Sequence, residues 1–277
     1  MSVQVARHAG FCMGVRRAVL EAMKAADTEK DIATIGELVH NPEVIRKLSE
    51  IGIHAVTSPS EVPGRTVVIR SHGVGPDVYR ELDTLGLKTI DLTCPYVQKL
   101  HTIVARYSET GRTVILVGSA DHPEVVGTLG WCKGRFYTVH DLAQAEALPE
   151  MDEALAASQT TVPHEEWEAI LPVLRRKVRQ LTAEDTICTA TVLRQKEART
   201  LAASVDAMLV VGGLDSSNTR RLYETCKSIC PRTLLVERAA DIPPGFADIH
   251  SESIGITAGA STPDWSLKEV VTRMTDK

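Results

Sequence analysis

Thr89-Ile90-Asp91-Leu92-Thr93-Cys94-Pro95 joins a short β-rich run to a proline suited to the first turn of a helix. Cys94 therefore stands where a strand hands over to a helix N-terminus, and there the helix dipole favours thiolate over thiol. The juncture recurs at Gly10-Phe11-Cys12, ahead of a helical pattern, and at Asp185-Thr186-Ile187-Cys188, ahead of a stretch from about Thr191 to Ser204. That is one thiol per repeating unit. Cysteines at the ends of separate strand-like segments can meet at one point, and three thiolates at one point make a metal or cluster site with a vacancy.

Outward from these junctures the chain alternates strand-like runs with amphipathic helical stretches, the pattern of an α/β protein with parallel strands. Strands are expected at 66–70, 89–92, 113–117, 207–211, 233–236 and 253–257. Val15, Ala18, Val19, Ala22, Met23 and Ala26 recur at helical spacing, as do Trp167, Ile170, Leu171, Leu174, Val178 and Leu181. Boundaries near Cys94 and near Asp185 divide the chain into three similar α/β units, 1–94, 95–185 and 186–277, the last with a C-terminal helix.

Composition narrows the function classes. A 277-residue chain that is 43% hydrophobic can bury a real core. A net charge of -5 supplies no global field for nucleic acid or an anionic membrane, so any anionic ligand must be held by local groups. Aromatic residues at 4% leave few stacking platforms for single-stranded nucleic acid. Six unclustered cysteines, the lack of a signal-like N-terminus and the lack of a membrane-length apolar run predict reduced thiols in a cytoplasmic protein.

In open α/β sheets ligands gather beyond the carboxyl ends of the strands, so polar residues there are the candidates. His40, His72 and His122 follow apolar runs, as do Ser216-Ser217-Asn218 and Ser261. Singly, each reads as a cap or packing residue; jointly they are donors suited to a phosphate or diphosphate, with helix N-termini adding backbone N–H groups. In His122-Pro123-Glu124 the carboxylate can act as a proton donor if burial raises its pKa, or it can simply complement a helix dipole at its N-terminus. Thr160, in Gln159-Thr160-Thr161 after the run 154–158, offers a hydroxyl for a substrate alcohol. Cys226 and Cys230, four residues apart on one helix face, suit core packing, with a zinc pair as the alternative, and Cys132 also reads as packing.

Nine segments, in order, resemble the 4-hydroxy-3-methylbut-2-enyl diphosphate reductase family (LytB/IspH). They are Gly10-Phe11-Cys12-Met13-Gly14-Val15, Val39-His40-Asn41-Pro42, Arg70-Ser71-His72-Gly73-Val74, Thr93-Cys94-Pro95, His122-Pro123-Glu124-Val125, Gln159-Thr160-Thr161, Asp185-Thr186-Ile187-Cys188, Ser216-Ser217-Asn218 and Thr257-Ala258-Gly259-Ala260-Ser261. The resemblance implies three pseudo-symmetric α/β units with parallel sheets in a cloverleaf around a central [4Fe–4S] cluster, one per chain, ligated by Cys12, Cys94 and Cys188. It implies diphosphate contacts from His40, His72, His122, Ser216, Ser217, Asn218 and Ser261, with Glu124 as the proton-delivering acid and Thr160 orienting the alcohol. The implied reaction, last in the methylerythritol phosphate route to isoprenoids, is reductive dehydroxylation of the allylic diphosphate to isopentenyl and dimethylallyl diphosphate, with electrons from a ferredoxin or flavodoxin and no nucleic-acid or membrane partner. An iron–sulfur sensor of a phosphorylated metabolite and a zinc hydrolase using three thiolates are the alternatives from other function classes.

Overall fold

The computed structural model describes residues 2–246 and 253–275. Strand β1 (Ser2–Val5) leads to helix α1 (Met13–Ala26). A first set follows, β2 (Ile32–Ile35), α2 (Pro42–Glu50), β3 (Ile53–Val56), β4 (Thr66–Ile69), α3 (Pro76–Thr84) and β5 (Lys88–Asp91). Helix α4 (Pro95–Ser108) opens a second set, β6 (Thr113–Val117), α5 (Pro123–Leu129), β7 (Phe136–Val139), α6 (Leu142–Ala147), β8 (Met151–Ser158), α7 (His164–Lys177) and β9 (Val178–Glu184). Helix α8 (Thr189–Ala202) opens a third, β10 (Ala207–Val211), α9 (Ser217–Ile229), β11 (Thr233–Val236), β12 (Ser253–Ala258) and α10 (Asp264–Thr275).

Each set contributes to its own four-stranded parallel sheet, in the orders β3-β2-β4-β5, β7-β6-β8-β9 and β1-β12-β10-β11. Within the first two sheets the set's strands stand second, first, third, fourth. The last sheet repeats that order only because β1, from the far end of the sequence, fills the fourth place beside β12. The chain start, read from sequence as part of the first unit, thus completes the sheet of the last. By packing, the chain falls into two compact units, one of Met1–Val19, Val39–Glu50 and Thr189–Lys277, the other of Leu20–Leu38 and Ile51–Cys188. The first holds the β1-β12-β10-β11 sheet and the second holds the other two.

Burial explains which strands the sequence announces. Central strands β4, β6 and β10 read Thr-Val-Val-Ile, Thr-Val-Ile-Leu-Val and Ala-Met-Leu-Val-Val and are buried almost throughout, as expected where helices cover both faces of a parallel sheet. Edge strands are short or polar; β1 is Ser-Val-Gln-Val and mostly exposed. The helical periodicity running from Trp167 to Leu181 overshoots, because α7 ends at Lys177 and Val178 starts β9. Val178 and Leu181 lie three apart, a spacing that continues the helical pattern although in β9 it sets them on opposite faces.

Leu116, fully buried in β6, packs with Leu100, Val104, Val114 and Leu155. Leu116→Ala removes methyl groups from a site walled by β-branched and aliphatic neighbours, so a loss of about 3 kcal/mol is expected by urea denaturation; a change under about 1 kcal/mol would mean that this core collapses around the cavity. Cys226 and Cys230 are buried beside Val210 and Leu222, and burial pushes the Cys226 thiol up to about 12, leaving it a packing group. Among the described residues, no helix is long and apolar enough to cross a membrane.

Candidate active site

The candidate residues occupy matching places in the three sheets. The third strands end at Ile69, Ser158 and Ala258. Two residues on, the carbonyls of Ser71, Thr160 and Ala260 accept the backbone N–H of Cys94 at 3.0 Å, Cys188 at 3.0 Å and Cys12 at 3.1 Å, respectively. The first strands end at Ile35, Val117 and Val211, and five residues on stand His40, His122 and Ser216. Ser216 and His122 are the N-caps of α9 and α5, while Asn41, next to His40, accepts the Val44 N–H at the start of α2. The candidates are therefore one set of strand-end positions repeated with different side chains.

The approach to Cys94 and Cys188 is shaped by an aspartate three residues ahead. Asp91 accepts the Thr93 N–H at 2.9 Å and Asp185 accepts the Ile187 N–H at 3.0 Å, each bending the chain just before the thiol. Sequence reading passed over these two roles, although the shared Asp-x-x-Cys spacing was a visible signal for them.

In the unit that holds both of those cysteines, Glu124 is 2% exposed on the first turn of α5. One residue grips its carboxylate twice, the Thr160 N–H reaching Oε1 at 2.6 Å and the Thr160 hydroxyl reaching Oε2 at 2.8 Å. Since the Thr160 carbonyl also takes the Cys188 N–H, one residue joins the buried acid to the cysteine backbone. The Glu124 N–H donates to His122 Nδ1 at 3.2 Å, so in neutral imidazole the proton sits on Nε2. The His122 ring meets His72 edge to face, centroids 5.5 Å apart.

His72 rides on a loop that tolerates little change. At Gly73, φ is +70°, and an added Cβ would stand 2.6 Å from the His101 ring. Burial pushes His101 down to about 4, so it is a neutral ring stacked on Trp131, whose Nε1–H donates to the Val74 carbonyl at 3.0 Å. Gln159 fixes the loop after β8, accepting from the Ser119 N–H at 3.2 Å and donating to Thr161 Oγ1 at 2.9 Å.

The other unit gathers Cys12, His40, Ser216, Ser217, Asn218 and Ser261. The Ser261 hydroxyl donates to the His40 carbonyl at 3.1 Å and lies 3.4 Å from Ser216 Oγ, which caps Thr219. Ser217 opens α9. Asn218 is buried, and its Nδ2 has no hydrogen-bond partner among the described residues. An amide donor kept out of water without a partner is costly in the free protein and fits a ligand oxygen. Cys12 Sγ accepts the Val15 N–H at 3.4 Å at the head of α1.

A family model for the LytB protein matches residues 3–275. The chain belongs to the LytB family. Over 279 residues it is 41% identical to the 4-hydroxy-3-methylbut-2-enyl diphosphate reductase of Caldanaerobacter subterraneus subsp. tengcongensis, covering 99% of this chain and 96% of that one. The reductase of the same name from Trichlorobacter lovleyi is 41% identical over 274 residues, covering 99% and 98%. Among solved structures, (E)-4-hydroxy-3-methyl-but-2-enyl diphosphate reductase, described as the terminal enzyme of the non-mevalonate pathway, is 36% identical with a TM-score of 0.73 and full coverage of both chains. The E-1-hydroxy-2-methyl-but-2-enyl-4-diphosphate reductase of Plasmodium falciparum shares the fold, with a TM-score of 0.91 at 24% identity over 98% of this chain and 87% of that one. LytB proteins use an iron–sulfur cluster, and the donor set fits such a group: three half-buried cysteine thiols, all at strand-to-helix junctures with their backbone N–H groups already bonded.

Proposed function

We propose that this LytB chain reduces (E)-4-hydroxy-3-methylbut-2-enyl diphosphate to isopentenyl and dimethylallyl diphosphate, with Cys12, Cys94 and Cys188 holding one [4Fe–4S] cluster. The observation that carries the reading is Thr160, which binds the buried Glu124 carboxylate through both its donors while its carbonyl holds Cys188. Proton source and thiol ligand are thereby joined through one residue.

The reaction takes up two electrons and two protons, breaks the C4–O bond, releases water and forms a C–H bond at either end of the allylic system. When bound, the cluster supplies the electrons and a Lewis-acidic iron for the alcohol oxygen. Thr160 Oγ donates to Glu124, so its lone pairs are turned to accept the substrate O–H and orient the alcohol. For proton delivery the arrangement reverses: a protonated Glu124 donates to Thr160 Oγ, the Thr160 hydroxyl turns to donate to the alcohol oxygen, and as its proton passes to the leaving oxygen the Glu124 proton replaces it. His40, His72, His122, Ser216, Ser217, Asn218 and Ser261 bind the diphosphate, and Asn218 Nδ2 gains the partner it otherwise lacks. Remote binding energy of this kind fixes the reacting end of a small substrate. We assign the electrons to a ferredoxin or flavodoxin-type donor and the reaction to the cytoplasm, where thiols stay reduced.

Anaerobic purification followed by turnover with a chemical reductant tests this. The expected result is a brown protein that converts the allylic diphosphate to both products by mass spectrometry. A colourless zinc protein would reject the reading, and a brown protein that binds the diphosphate without turnover would favour a sensor.

A further inference from the structure

The repeated geometry breaks at one of its three junctures. Cys94 and Cys188 each follow an aspartate by three residues, Asp91 and Asp185, but the residue three ahead of Cys12 is Ala9. The approach is also longer: β5 ends at Asp91 and β9 at Glu184, close to their cysteines, whereas β1 ends at Val5 and six residues separate it from Cys12. A long loop without its turn-forming carboxylate would leave a thiol poorly placed.

Helix α8 supplies what is missing. Arg194, 4% exposed, donates from Nε to the His8 carbonyl at 2.9 Å and from a terminal nitrogen to the Gly10 carbonyl at 2.7 Å. One turn further along, Glu197 accepts the Arg7 N–H at 2.7 Å, the His8 N–H at 2.8 Å and His8 Nδ1 at 2.9 Å. The backbone N–H and ring contacts at Arg7 and His8 draw Glu197 below the usual carboxylate range against the opposing effect of its partial burial. These bonds hold residues 7–10 immediately before Cys12, and Gly10 makes the turn at φ +87°.

We propose that Arg194 and Glu197 are positioning residues for the Cys12 ligand, replacing with two side chains of α8 the aspartate turn that serves the other two cysteines. The inference rests on the cluster assignment above. Arg194 also brings a permanent positive charge, with little water to screen it, against the carbonyl two residues before the thiol. It thereby favours the more negative, reduced state of a group bound there.

The test compares Arg194→Gln and Glu197→Gln with Thr225→Val, all in the anaerobically purified, cluster-loaded chain. Thr225 of α9 donates to Gln195 of α8 at 2.9 Å and makes none of the hydrogen bonds to residues 7–10 described above, so its variant reports general loosening of α8. Both loop variants should lose iron to a chelator about tenfold faster than wild type, the scale set by partners that orient a metal ligand. Arg194→Gln should also lower the reduction potential, and Arg194→Lys should restore the potential but only part of the retention, because it keeps the charge without the fork. Thr225→Val should lose iron at the wild-type rate even where its Tm is lowered as much. Iron loss that simply follows Tm across the variants, or wild-type retention in both loop variants, would overturn the positioning role while leaving the cluster assignment intact. A wild-type chain that holds no iron would overturn both.

Discussion

Glu124→Gln is expected to lower turnover by about 100-fold or more, the scale of general acid catalysis, with iron content and substrate affinity close to wild type. The exchange preserves shape and removes only the ability to release a proton. The Thr160 N–H keeps an oxygen to donate to, so the loop that also holds the Cys188 backbone should stay in place. The second contact reverses but survives. Thr160 Oγ donates to Oε2 at 2.8 Å in the carboxylate; facing an amide NH2 it accepts, as it would from the protonated acid, and its own proton stays available to the alcohol. The amide, however, has no proton to hand on, so a single delivery cannot be completed or renewed. Single-turnover rates and an independent binding measurement separate this from a damaged site. Turnover within a few-fold of wild type would mean that the proton reaches the substrate by another route.

Cys94→Ser is expected to strip the iron and abolish activity, and the local structure makes this a clean experiment. Cys94 is the N-cap of α4, yet its side chain makes no capping hydrogen bond. Serine is among the preferred N-cap residues, so the substitution should leave the helix as stable or firmer by a few tenths of a kcal/mol to about 1 kcal/mol. A serine hydroxyl, however, does not ionise near neutral pH as a thiol at a helix N-terminus does, and it is a harder donor than iron–sulfur chemistry prefers. The expected record is an unchanged far-ultraviolet spectrum and Tm of the metal-free protein, beside a loss of visible absorption and of iron per chain. Undiminished iron in the variant would remove Cys94 from the ligand set.

Much of the architecture could be read from strands such as β6 and β10, whose unbroken apolar runs have one physical meaning in an α/β protein. Strand β1 could not, because a mostly exposed four-residue edge strand carries little burial signal, and its partner β12 lies some 250 residues away in sequence. The end of α7 at Lys177 was hidden because Val178 and Leu181 continue the helical spacing by coincidence, while in β9 they lie on opposite faces. At the site, candidates such as His72 and Glu124 could be picked out because they stand just past strand ends, where α/β folds place ligand-facing residues. The two donors that Thr160 turns on one carboxylate depend on the geometry of two loops 36 positions apart, which no local spacing encodes. Arg194 and Glu197 were invisible for the same reason, since their targets lie near the opposite end of the chain.

The pairing of β1 with β12 also sets an order of events during synthesis. Residues Ser2–Val5 are synthesised some 250 residues before their hydrogen-bonding neighbour β12 and before Ala260, whose carbonyl fixes the Cys12 backbone. Strand β1 must therefore wait, unpaired, until β12 has been translated. On the ligand assignment proposed above, stable loading of iron would have to follow the synthesis of β12, and a nascent chain stalled before it should have the Cys12 thiol exposed to oxidation or to scavenging metals.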